Sequence, residues 1–355
     1  MNIDEKNITS ILIVKLSSSG DIIMTSPVLP LIRQKFPYAK ITFLVETESI
    51  SLIKQHPDID ETIELPRTMW ARNFIKHPFK IIKEFINFIK LLKSRNFDLA
   101  IDFQGLFRSV IFPYLAKCKI RVGRGRWKLF LHKYIPMYIK NGVQHAVENY
   151  FDVCKLIGID KVDVNKKALA LYISDADMKI ADDYLNKINV RPDKTIVISP
   201  FTRWTTKNIP LSTIANILVS ISSISDFDYI LTGMKYHRKQ LEELKNLSGL
   251  DIKACMGDLS LIQLAGLISR CKLNICADSA PMHIANALNK PLIAIFGPTD
   301  PLRTGPYNKS NTIIVRENFS CIPCLKRKCP LKNHQCLKNM NTERIKEAIL
   351  TLINL

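Results

Sequence analysis

Short runs of β-branched residues alternate with stretches of helical periodicity along this chain, and the alternation starts again near its middle. In the first half, residues 11–16, 41–45 and 99–103 are predicted to be strands, and residues 27–36 and 78–94 helices. This alternation is typical of βαβ units wound around a parallel sheet. The sequence therefore predicts an α/β fold.

The second half restarts the pattern after the polar residues 174–194, which we interpret as a domain boundary. A chain of 355 residues is long enough for two doubly wound domains, each with its own hydrophobic core. The predicted strands here are 195–199, 229–232, 273–277 and 291–296, and the predicted helices are 211–222, 238–247, 261–271, 281–288 and 342–353.

The chain has no run of about 18 consecutive apolar residues, so a membrane-spanning helix is excluded. Residues 1–10 are polar and acidic, and the apolar run 11–14 is too short for the core of a signal peptide. We expect a cytoplasmic protein, which still allows contact with a membrane surface. The predicted helix 78–94 has one apolar face, which we expect to pack into the core rather than to anchor in a membrane: Ile81, Ile82, Phe85, Phe88, Ile89 and Leu92.

Positive charge is concentrated in one part of the first half. The net charge is +19, and the stretch from Arg67 to Lys140 holds 17 lysines and arginines against three carboxylates, a local balance of +14. Such a stretch is attracted to nucleic acid, to an anionic membrane face or to an acidic substrate such as a phosphorylated lipid. A basic surface that is merely solvated is the alternative.

The first candidate site is the turn Ser-Ser-Ser-Gly-Asp at residues 17–21, between a predicted strand and a helix. Loops after the carboxyl ends of parallel strands face the ligand crevice of an open sheet. A carboxylate there, Asp21, can act as a general base, and the serines and Gly20 allow a ligand to approach closely. The alternative is that Asp21 only caps the helix.

The second candidate is the polar loop after the predicted strand 195–199. It carries Thr205, Thr206 and Lys207, whose hydroxyls and ammonium group suit a diphosphate. An exposed loop lysine with no ligand is the alternative.

The third candidate is Asp-Ser-Ala-Pro-Met-His at residues 278–283, between a predicted strand and a helix. We predict Pro281 at the first helical position, where free backbone N–H groups and the helix dipole attract an anion. Asp278 can accept hydrogen bonds from sugar hydroxyls. Alternatively, Asp278 is a helix cap and His283 a packing histidine.

Four of the nine cysteines lie close together near the end of the chain, at Cys321, Cys324, Cys329 and Cys336. Four thiolates beside several basic residues are candidates for a structural zinc site, since positive charge acidifies thiols. Their spacing differs from that of a paired C-x2-C finger, and a cytoplasmic location argues against disulfides. The other five lie in apolar stretches, where buried thiols are ordinary.

Taken together, these segments resemble glycosyltransferase family 9, the bacterial lipopolysaccharide heptosyltransferases that use ADP-heptose. The order and spacing of the shared segments hold across nearly the whole chain. They are Ile-Leu-Ile-Val-Lys-Leu-Ser-Ser-Ser-Gly-Asp at residues 11–21, residues 97–109, His-Ala-Val-Glu-Asn-Tyr at 145–150, the loop 202–210, Asp-Ser-Ala-Pro-Met-His at 278–283, and residues 296–307.

The resemblance implies a GT-B fold, in which two doubly wound Rossmann-like domains have a cleft between them. An acceptor-binding domain is expected over residues 1–180 and a nucleotide-sugar domain over residues 190–340. The terminal helix, residues 341–355, is expected to pack back across the domain interface.

The resemblance also implies an inverting transfer of L-glycero-D-manno-heptose from ADP-heptose to the Kdo/heptose inner core of lipopolysaccharide. Asp21 matches the family's general base, and Lys207 matches the lysine that meets the donor diphosphate. No cofactor and no catalytic metal are expected. The expected donor contacts are Ser19, Gly20, Thr205, Thr206, Lys207, Asp278, Ser279, Ala280, Met282 and His283.

The acceptor is then Kdo-lipid A or heptosyl-Kdo-lipid A, and the sequence leaves this choice open. Both are anionic, which gives the basic stretch a purpose and predicts peripheral association with the cytoplasmic face of the inner membrane. The expected acceptor contacts are Arg67, Arg72, Lys76, Gln104 and Arg108.

Three other functions fit the sequence less well. Another nucleotide-sugar transferase and an epimerase would use the same scaffold, because a fold does not fix a function. A basic nucleic-acid-binding protein would explain the charge, but the aromatic or glycine-rich basic motifs that read nucleic acid are missing. We therefore expect no nucleic-acid partner.

Overall fold

The chain divides into two units in the computed structural model, unit 1 from Met1 to Tyr172 and unit 2 from Ile173 to Leu355. Two of the lysines and arginines counted in the basic stretch, Arg126 and Lys140, lie outside the described residues, as do the last two residues of the terminal segment 341–355. The structure describes residues 5–125, 127–136, 143–160 and 168–353.

Unit 1 is a parallel sheet flanked by helices. Its strands are β1 (Ser10–Val14), β2 (Lys40–Glu46), β3 (Glu61–Leu65), β4 (Leu99–Asp102), β5 (Ile120–Arg124) and β6 (Lys133–Ile135). Its α-helices are α1 (Ser19–Met24), α2 (Leu29–Lys35), α3 (Arg67–Asn73), α4 (Pro78–Ser94), α5 (Phe107–Leu115) and α6 (Ala146–Lys155).

The strands of unit 1 follow the order β3-β2-β1-β4-β5-β6, and every neighbouring pair is parallel. The middle strand β1 is buried from Ile11 to Val14, as expected for a parallel sheet with helices on both faces. The chain runs from β1 outward to β2 and β3 and then returns to β4 on the other side. The strand order therefore reverses between β1 and β4.

Unit 2 repeats this architecture. Its strands are β7 (Thr195–Ser199), β8 (Asp228–Gly233), β9 (Ile252–Met256), β10 (Leu273–Ala277), β11 (Leu292–Phe296) and β12 (Thr312–Arg316). Its α-helices are α7 (Asp175–Lys187), α8 (Leu211–Ser222), α9 (Arg238–Ser248), α10 (Leu261–Arg270), α11 (Ala280–Ala287), α12 (Pro301–Thr304), α13 (Gln335–Lys338) and α14 (Thr342–Ile353).

The sheet of unit 2 has the order β12-β11-β10-β7-β8-β9, again with parallel neighbours, and the order reverses between β10 and β7. The prediction of two doubly wound α/β units is therefore confirmed. The terminal helix α14 packs on α8, and its Ile345 and Ile349 join the hydrophobic core of unit 2. That it crosses a domain interface stays a prediction.

The segment interpreted from sequence as a boundary, residues 174–194, contains the helix α7. Ser174 caps this helix, because its side chain accepts a hydrogen bond from the backbone N–H of Asp177. The helix packs closely on α10, where a Cβ added to Gly266 would lie 2.8 Å from the Cβ of Ala181. The sequence pattern did not predict this helix, because its residues are mostly polar and only Ala181 and Leu185 are buried.

Helix α4 has the predicted bounds, but its predicted apolar face is only partly buried. Ile81, Phe88, Ile89 and Leu92 are buried, whereas Ile82 is 46% exposed. Including Ile82 in the core was wrong, because it is turned by about 100° from Ile81, toward solvent. Within the described ranges, no helix is long and apolar enough to span a membrane.

Candidate active site

Polar side chains collect at the carboxyl-terminal edge of each sheet, next to the point where the strand order reverses. Helices leave neighbouring strands toward opposite faces at such a point, so the strand ends border a crevice. Asp21 follows β1 in unit 1, and Lys207 and Asp278 follow β7 and β10 in unit 2. Each of the three side chains therefore borders the crevice of its own sheet.

Asp21 occupies the third position of α1, and its two carboxylate oxygens have different surroundings. Oδ2 accepts hydrogen bonds from the backbone N–H of Ser18 at 3.0 Å and from the Ser18 hydroxyl at 2.8 Å. This is the capping role weighed from sequence. Oδ1 accepts a hydrogen bond from the Tyr150 hydroxyl at 3.2 Å and lies 3.7 Å from Nζ of Lys15. The side chain is 32% exposed, so one residue both caps the helix and presents a carboxylate to the crevice.

Lys15 lies just beyond the end of β1, and its side chain is only 4% exposed. Burial lowers the pKa of this ammonium group, while the nearby charge of Asp21 opposes that shift. The fully buried carboxyl of Asp102, at the end of β4, interacts electrostatically with it. Burial raises the pKa of Asp102 to about 7, against hydrogen bonds from the backbone of Gln104, the Ser109 hydroxyl and the backbone of Gly105.

Tyr150 comes from α6 and is buried with its ring beneath the ammonium group of Lys15, 5.0 Å from Nζ to the ring centre. Burial, and next the charge of Asp21, raise the pKa of its phenol well above the ordinary value. It therefore stays a neutral hydrogen-bond donor to Asp21. Sequence analysis gave no role to Lys15 or Tyr150, although both lie in segments that carry the family resemblance.

Two predicted acceptor contacts reach the same turn. The backbone N–H of Ser17 donates to Oε1 of Gln104 at 3.2 Å, and the guanidinium group of Arg108 donates to the Ser17 hydroxyl at 3.1 Å. Gln104 and Arg108 lie after β4 and in α5, so the structure brings them together with the turn that carries Asp21.

The other predicted acceptor contacts lie around α3. Arg67 begins this helix and binds the carboxylate of Glu46, at the end of β2, with distances of 2.6 and 3.2 Å. The hydrogen bonds to Glu46 raise the pKa of Arg67. Arg72 and Lys76 are exposed, and no carboxylate in the described part of the chain lies within ion-pair distance of either.

Ser19 and Gly20, which we predicted as donor contacts, lie in the first turn of α1 in unit 1. The Ser19 hydroxyl shares a hydrogen bond with that of Ser49 at 2.9 Å, and Gly20 is buried. Ser19 therefore links α1 to the short 3-10 helix Thr47–Leu52, and contact of Ser19 and Gly20 with the donor stays a prediction.

In unit 2, Nζ of Lys207 lies 3.3 Å from Oδ2 of Asp278. The side chains are 18% and 8% exposed. Nζ also lies 5.4 Å from the centre of the Trp204 ring, on which the lysine rests. The two strands beside the switch point therefore present one cation and one anion in direct contact.

Helix α11 begins at Ala280, so Pro281 occupies its second position instead of the predicted first. Ser279 is the N-cap in extended conformation, and its hydroxyl donates to the carbonyl of Ala277 rather than receiving a helix amide. Asp278 is therefore not the cap. Met282 and His283 are buried, which leaves the backbone rather than these side chains to meet a ligand at this helix start.

The turn that carries Lys207 is held by the segment with the four cysteines. The hydroxyl of Thr206 donates to the carbonyl of Lys326 at 2.7 Å, and Nε2 of His334 lies 2.6 Å from the carbonyl oxygen of Thr206. Thr205 is exposed and makes a longer contact, 3.4 Å, to the carbonyl of Arg327. The segment 321–336 thus positions the predicted diphosphate-binding loop.

The four clustered cysteines line one small cavity together with Thr206 and His334. Hydrogen bonds from backbone N–H groups of residues 331–334 lower the pKa of Cys329, whereas burial and then the other three thiols raise that of Cys336 to about 11. The expectation that basic neighbours acidify all four thiols was therefore wrong for Cys336. Among the residues that the structure describes, no group of three or more potential ligand side chains is arranged to hold a metal ion, and the zinc site stays a prediction.

Comparisons with known proteins agree with this architecture. The chain is 24% identical to lipooligosaccharide heptosyltransferase 2 of Campylobacter jejuni, with 94% of this chain and 96% of the relative covered. It is 26% identical to lipopolysaccharide heptosyltransferase 1 of Pseudomonas aeruginosa, with 94% and 95% covered. The structure of Escherichia coli heptosyltransferase WaaC with ADP-2-deoxy-2-fluoro heptose superimposes with a TM-score of 0.73 at 22% identity, covering 97% of this chain and 99% of that one.

The predicted GT-B fold class is confirmed by this structural similarity. The profile of glycosyltransferase family 9 (heptosyltransferase) matches residues 85–335, a range that contains the Lys207–Asp278 pair, Tyr150, strands β4 to β6 of unit 1 and the whole sheet of unit 2. Because the match spans well over half of the chain, this protein belongs to glycosyltransferase family 9 (heptosyltransferase) and is a heptosyl-transferring glycosyltransferase.

Proposed function

We propose that this enzyme transfers L-glycero-D-manno-heptose from ADP-heptose to the Kdo/heptose inner core of lipopolysaccharide, with inversion at the anomeric carbon. The carboxylate of Asp21, held between Lys15 and Tyr150 at the edge of the unit 1 sheet, is the observation that carries the proposal. The names of the relatives and the ADP-heptose analogue bound to WaaC support this donor and this acceptor class.

Asp21 acts as the general base in this mechanism. Its carboxylate takes the proton of an acceptor hydroxyl as the hydroxyl oxygen attacks the anomeric carbon of the heptose in line with the bond to ADP. The bond from the anomeric carbon to the diphosphate breaks, and ADP leaves with the electron pair. Ser18 and Tyr150 fix the carboxylate through hydrogen bonds, which keeps it in one orientation for proton transfer.

Lys207 and the start of α11 bind the donor diphosphate. The ammonium group lies in the crevice beside Asp278, from which it can turn to the phosphates while Asp278 accepts hydrogen bonds from sugar hydroxyls. The backbone N–H groups of Ala280 and Met282 add the partial positive charge of a helix N-terminus. These groups stabilise the negative charge that develops on ADP as it leaves.

Basic and amide side chains of unit 1 bind the acceptor. Gln104 and Arg108 lie beside the turn of Asp21, and Arg67, at the start of α3, binds Glu46 at the end of the neighbouring strand β2. Arg72 and Lys76 add exposed positive charge that suits the carboxylates and phosphates of Kdo-lipid A or heptosyl-Kdo-lipid A. We propose that the enzyme meets this lipid-linked acceptor at the cytoplasmic face of the inner membrane.

The test is ADP release by the purified enzyme from ADP-heptose, with either acceptor, for wild type and Asp21→Asn. We expect acceptor-dependent turnover, and a loss of kcat by roughly 10²–10⁴-fold in the variant with donor affinity retained. Asp251→Asn is the matched control, because Asp251 is 71% exposed and its ion pair in the described part of the chain is with the nearby Lys253.

Turnover that survives Asp21→Asn would exclude Asp21 as the base. If neither acceptor supports ADP release, the proposed donor or acceptor is wrong. Conversion of a nucleotide sugar into its epimer without release of the nucleotide would favour the epimerase alternative.

A further inference from the structure

Helix α4 and the turn before it expose apolar side chains in a group. Ile75 is 91% exposed, Phe79 84%, Ile82 46% and Ile86 47%. Tyr38, which is 96% exposed, is by contrast a single exposed ring, and such isolated exposure is ordinary for a protein surface. Clustered exposure of this kind marks an interaction site.

These residues lie on one side of the helix. Phe79, Ile82 and Ile86 are spaced by three and four positions, so they form a stripe on the face opposite the buried Phe88 and Leu92. Helix α4 thus has two apolar faces, one packed into unit 1 and one turned to solvent. Only the inner face is needed for folding.

Lysines border the outer stripe. Lys80, Lys83, Lys90 and Lys93 are exposed on the same helix, and no carboxylate in the described ranges lies within ion-pair distance of them. The single acidic residue of α4, Glu84, is turned inward, where its carboxylate accepts a hydrogen bond from the indole of Trp70 at 2.8 Å. The outer face is therefore apolar and cationic without opposing charge. We call Ile75, Phe79, Ile82, Ile86 and these four lysines the α4 surface.

We propose that the α4 surface binds directly to an anionic lipid bilayer. Phenylalanine and isoleucine side chains flanked by lysines suit the boundary between acyl chains and anionic headgroups, because each part meets its own partner there. Nucleic acid would attract the lysines but leave the four apolar side chains in water. This inference rests on the proposed function in one respect, since a lipid-linked acceptor requires the enzyme to work at a bilayer.

The first experiment measures co-sedimentation of the full-length enzyme with vesicles. We compare vesicles of phosphatidylcholine alone with vesicles of phosphatidylcholine and phosphatidylglycerol, and we compare wild type with Ile75→Ser/Phe79→Ser/Ile82→Ser. We expect wild type to prefer the anionic vesicles, and the triple variant to lose at least about ten-fold in partition, because each side chain loses apolar burial. Tyr38→Ser is the control for loss of an isolated exposed ring, which is 96% exposed.

The second experiment separates the lysines from charge in general. The variant with Lys80, Lys83, Lys90 and Lys93 changed to Gln should bind anionic vesicles roughly 100-fold more weakly at low salt. A variant with four exposed lysines elsewhere changed to Gln has the same net charge and should bind like wild type: Lys54, Lys179, Lys187 and Lys239. Equal losses in both variants would overturn the assignment to the α4 surface.

Turnover of a soluble, delipidated acceptor distinguishes this inference from the proposed function. The α4 variants should keep that turnover while losing vesicle binding. Wild type that ignores anionic vesicles, or that instead forms a dimer broken by the triple variant in sedimentation, would overturn the membrane surface alone. Absent turnover with intact, α4-dependent vesicle binding would overturn only the proposed function.

Discussion

The two polar clusters differ in how firmly their charges are built into the fold. In unit 1, Lys15 is 4% exposed and lies among Asp21, Asp102 and Tyr150, so several elements hold one buried cation. In unit 2, Lys207 is 18% exposed and has one carboxylate partner, Asp278. The charges around Asp21 are therefore held by several elements of the fold, whereas Lys207 can exchange its carboxylate partner for another anion. A buried network of polar groups stabilises the fold and fixes the orientation of its side chains, whereas an accessible ion pair can bind a ligand.

The strongest test of this difference compares Lys15→Met with Lys207→Met. Lys15→Met should lower the free energy of unfolding by about 2–3 kcal/mol, because it leaves the buried carboxyl of Asp102 and the partly exposed carboxylate of Asp21 without their cation. Its kcat should fall by roughly 100-fold while donor affinity is kept, since Lys15 pairs with Asp21, the proposed base, and the proposed diphosphate contacts lie in unit 2. Chemical denaturation and steady-state kinetics, corrected for the folded fraction, measure both effects.

Lys207→Met should weaken donor binding more than it lowers stability. We expect the KM for ADP-heptose to rise by roughly ten-fold or more, because one hydrogen bond between charged groups is lost. The free energy of unfolding should fall by only about 1 kcal/mol. Similar losses of stability in the two variants would show that the clusters do not differ in the way described.

A second prediction concerns pH and the buried carboxyl of Asp102, whose pKa is raised to about 7. The folded state binds this proton more tightly than the unfolded chain does. The contribution of this proton to the free energy of unfolding is therefore fully present below about pH 4. It is lost as the pH rises through about 7. Between these limits, the free energy of unfolding should fall by up to roughly 1.4 kcal/mol for each pH unit.

Comparison with Asp102→Asn isolates this contribution. The variant should lack the component of stability that declines between about pH 4 and 7, whatever its absolute stability. Urea denaturation at several pH values measures it. Parallel curves for wild type and variant would show that Asp102 does not hold its proton in the folded protein.

Sequence alone located the polar residues at strand ends but not their partners. Asp21, Lys207 and Asp278 were predicted because a buried β-branched run followed by a polar turn marks a strand end. Tyr150 donates to Asp21 from 129 residues away in the chain, and no local pattern records that contact. Lys15 lies within an apolar run, and a lysine there usually points to solvent. The available signal was a charged residue within an apolar run, two positions before the candidate turn 17–21.

The same limit applies to the fold. Central strands such as β7 and β10 had the predicted bounds, because they are buried throughout and therefore uniformly apolar. The edge strand β3 was missed because its Glu-Thr-Ile-Glu-Leu sequence is only half buried. The start of α11 was misplaced by one residue because proline fits either of the first two helical positions.

The smallest expected effect concerns two adjacent threonines of unit 2. We expect one to hold the loop that carries Lys207 and the other to bind the donor. Thr206 is 5% exposed, and its hydroxyl donates to the carbonyl of Lys326 at 2.7 Å, whereas the exposed Thr205 makes only the 3.4 Å contact to Arg327. Thr206→Val should therefore cost about 1 kcal/mol of unfolding free energy, and Thr205→Val less than about 0.5 kcal/mol.

The KM for ADP-heptose should change more in Thr205→Val than in Thr206→Val. If the Thr205 hydroxyl donates to the diphosphate, Thr205→Val should raise the KM for ADP-heptose by roughly ten-fold, because one hydrogen bond to a charged phosphate oxygen is lost, without loss of stability. Thr206→Val affects the KM only by loosening the turn of Lys207. Thermal denaturation paired with donor titration measures both. A larger loss of stability in Thr205→Val than in Thr206→Val would mean that the segment 321–336 does not hold this loop through Thr206.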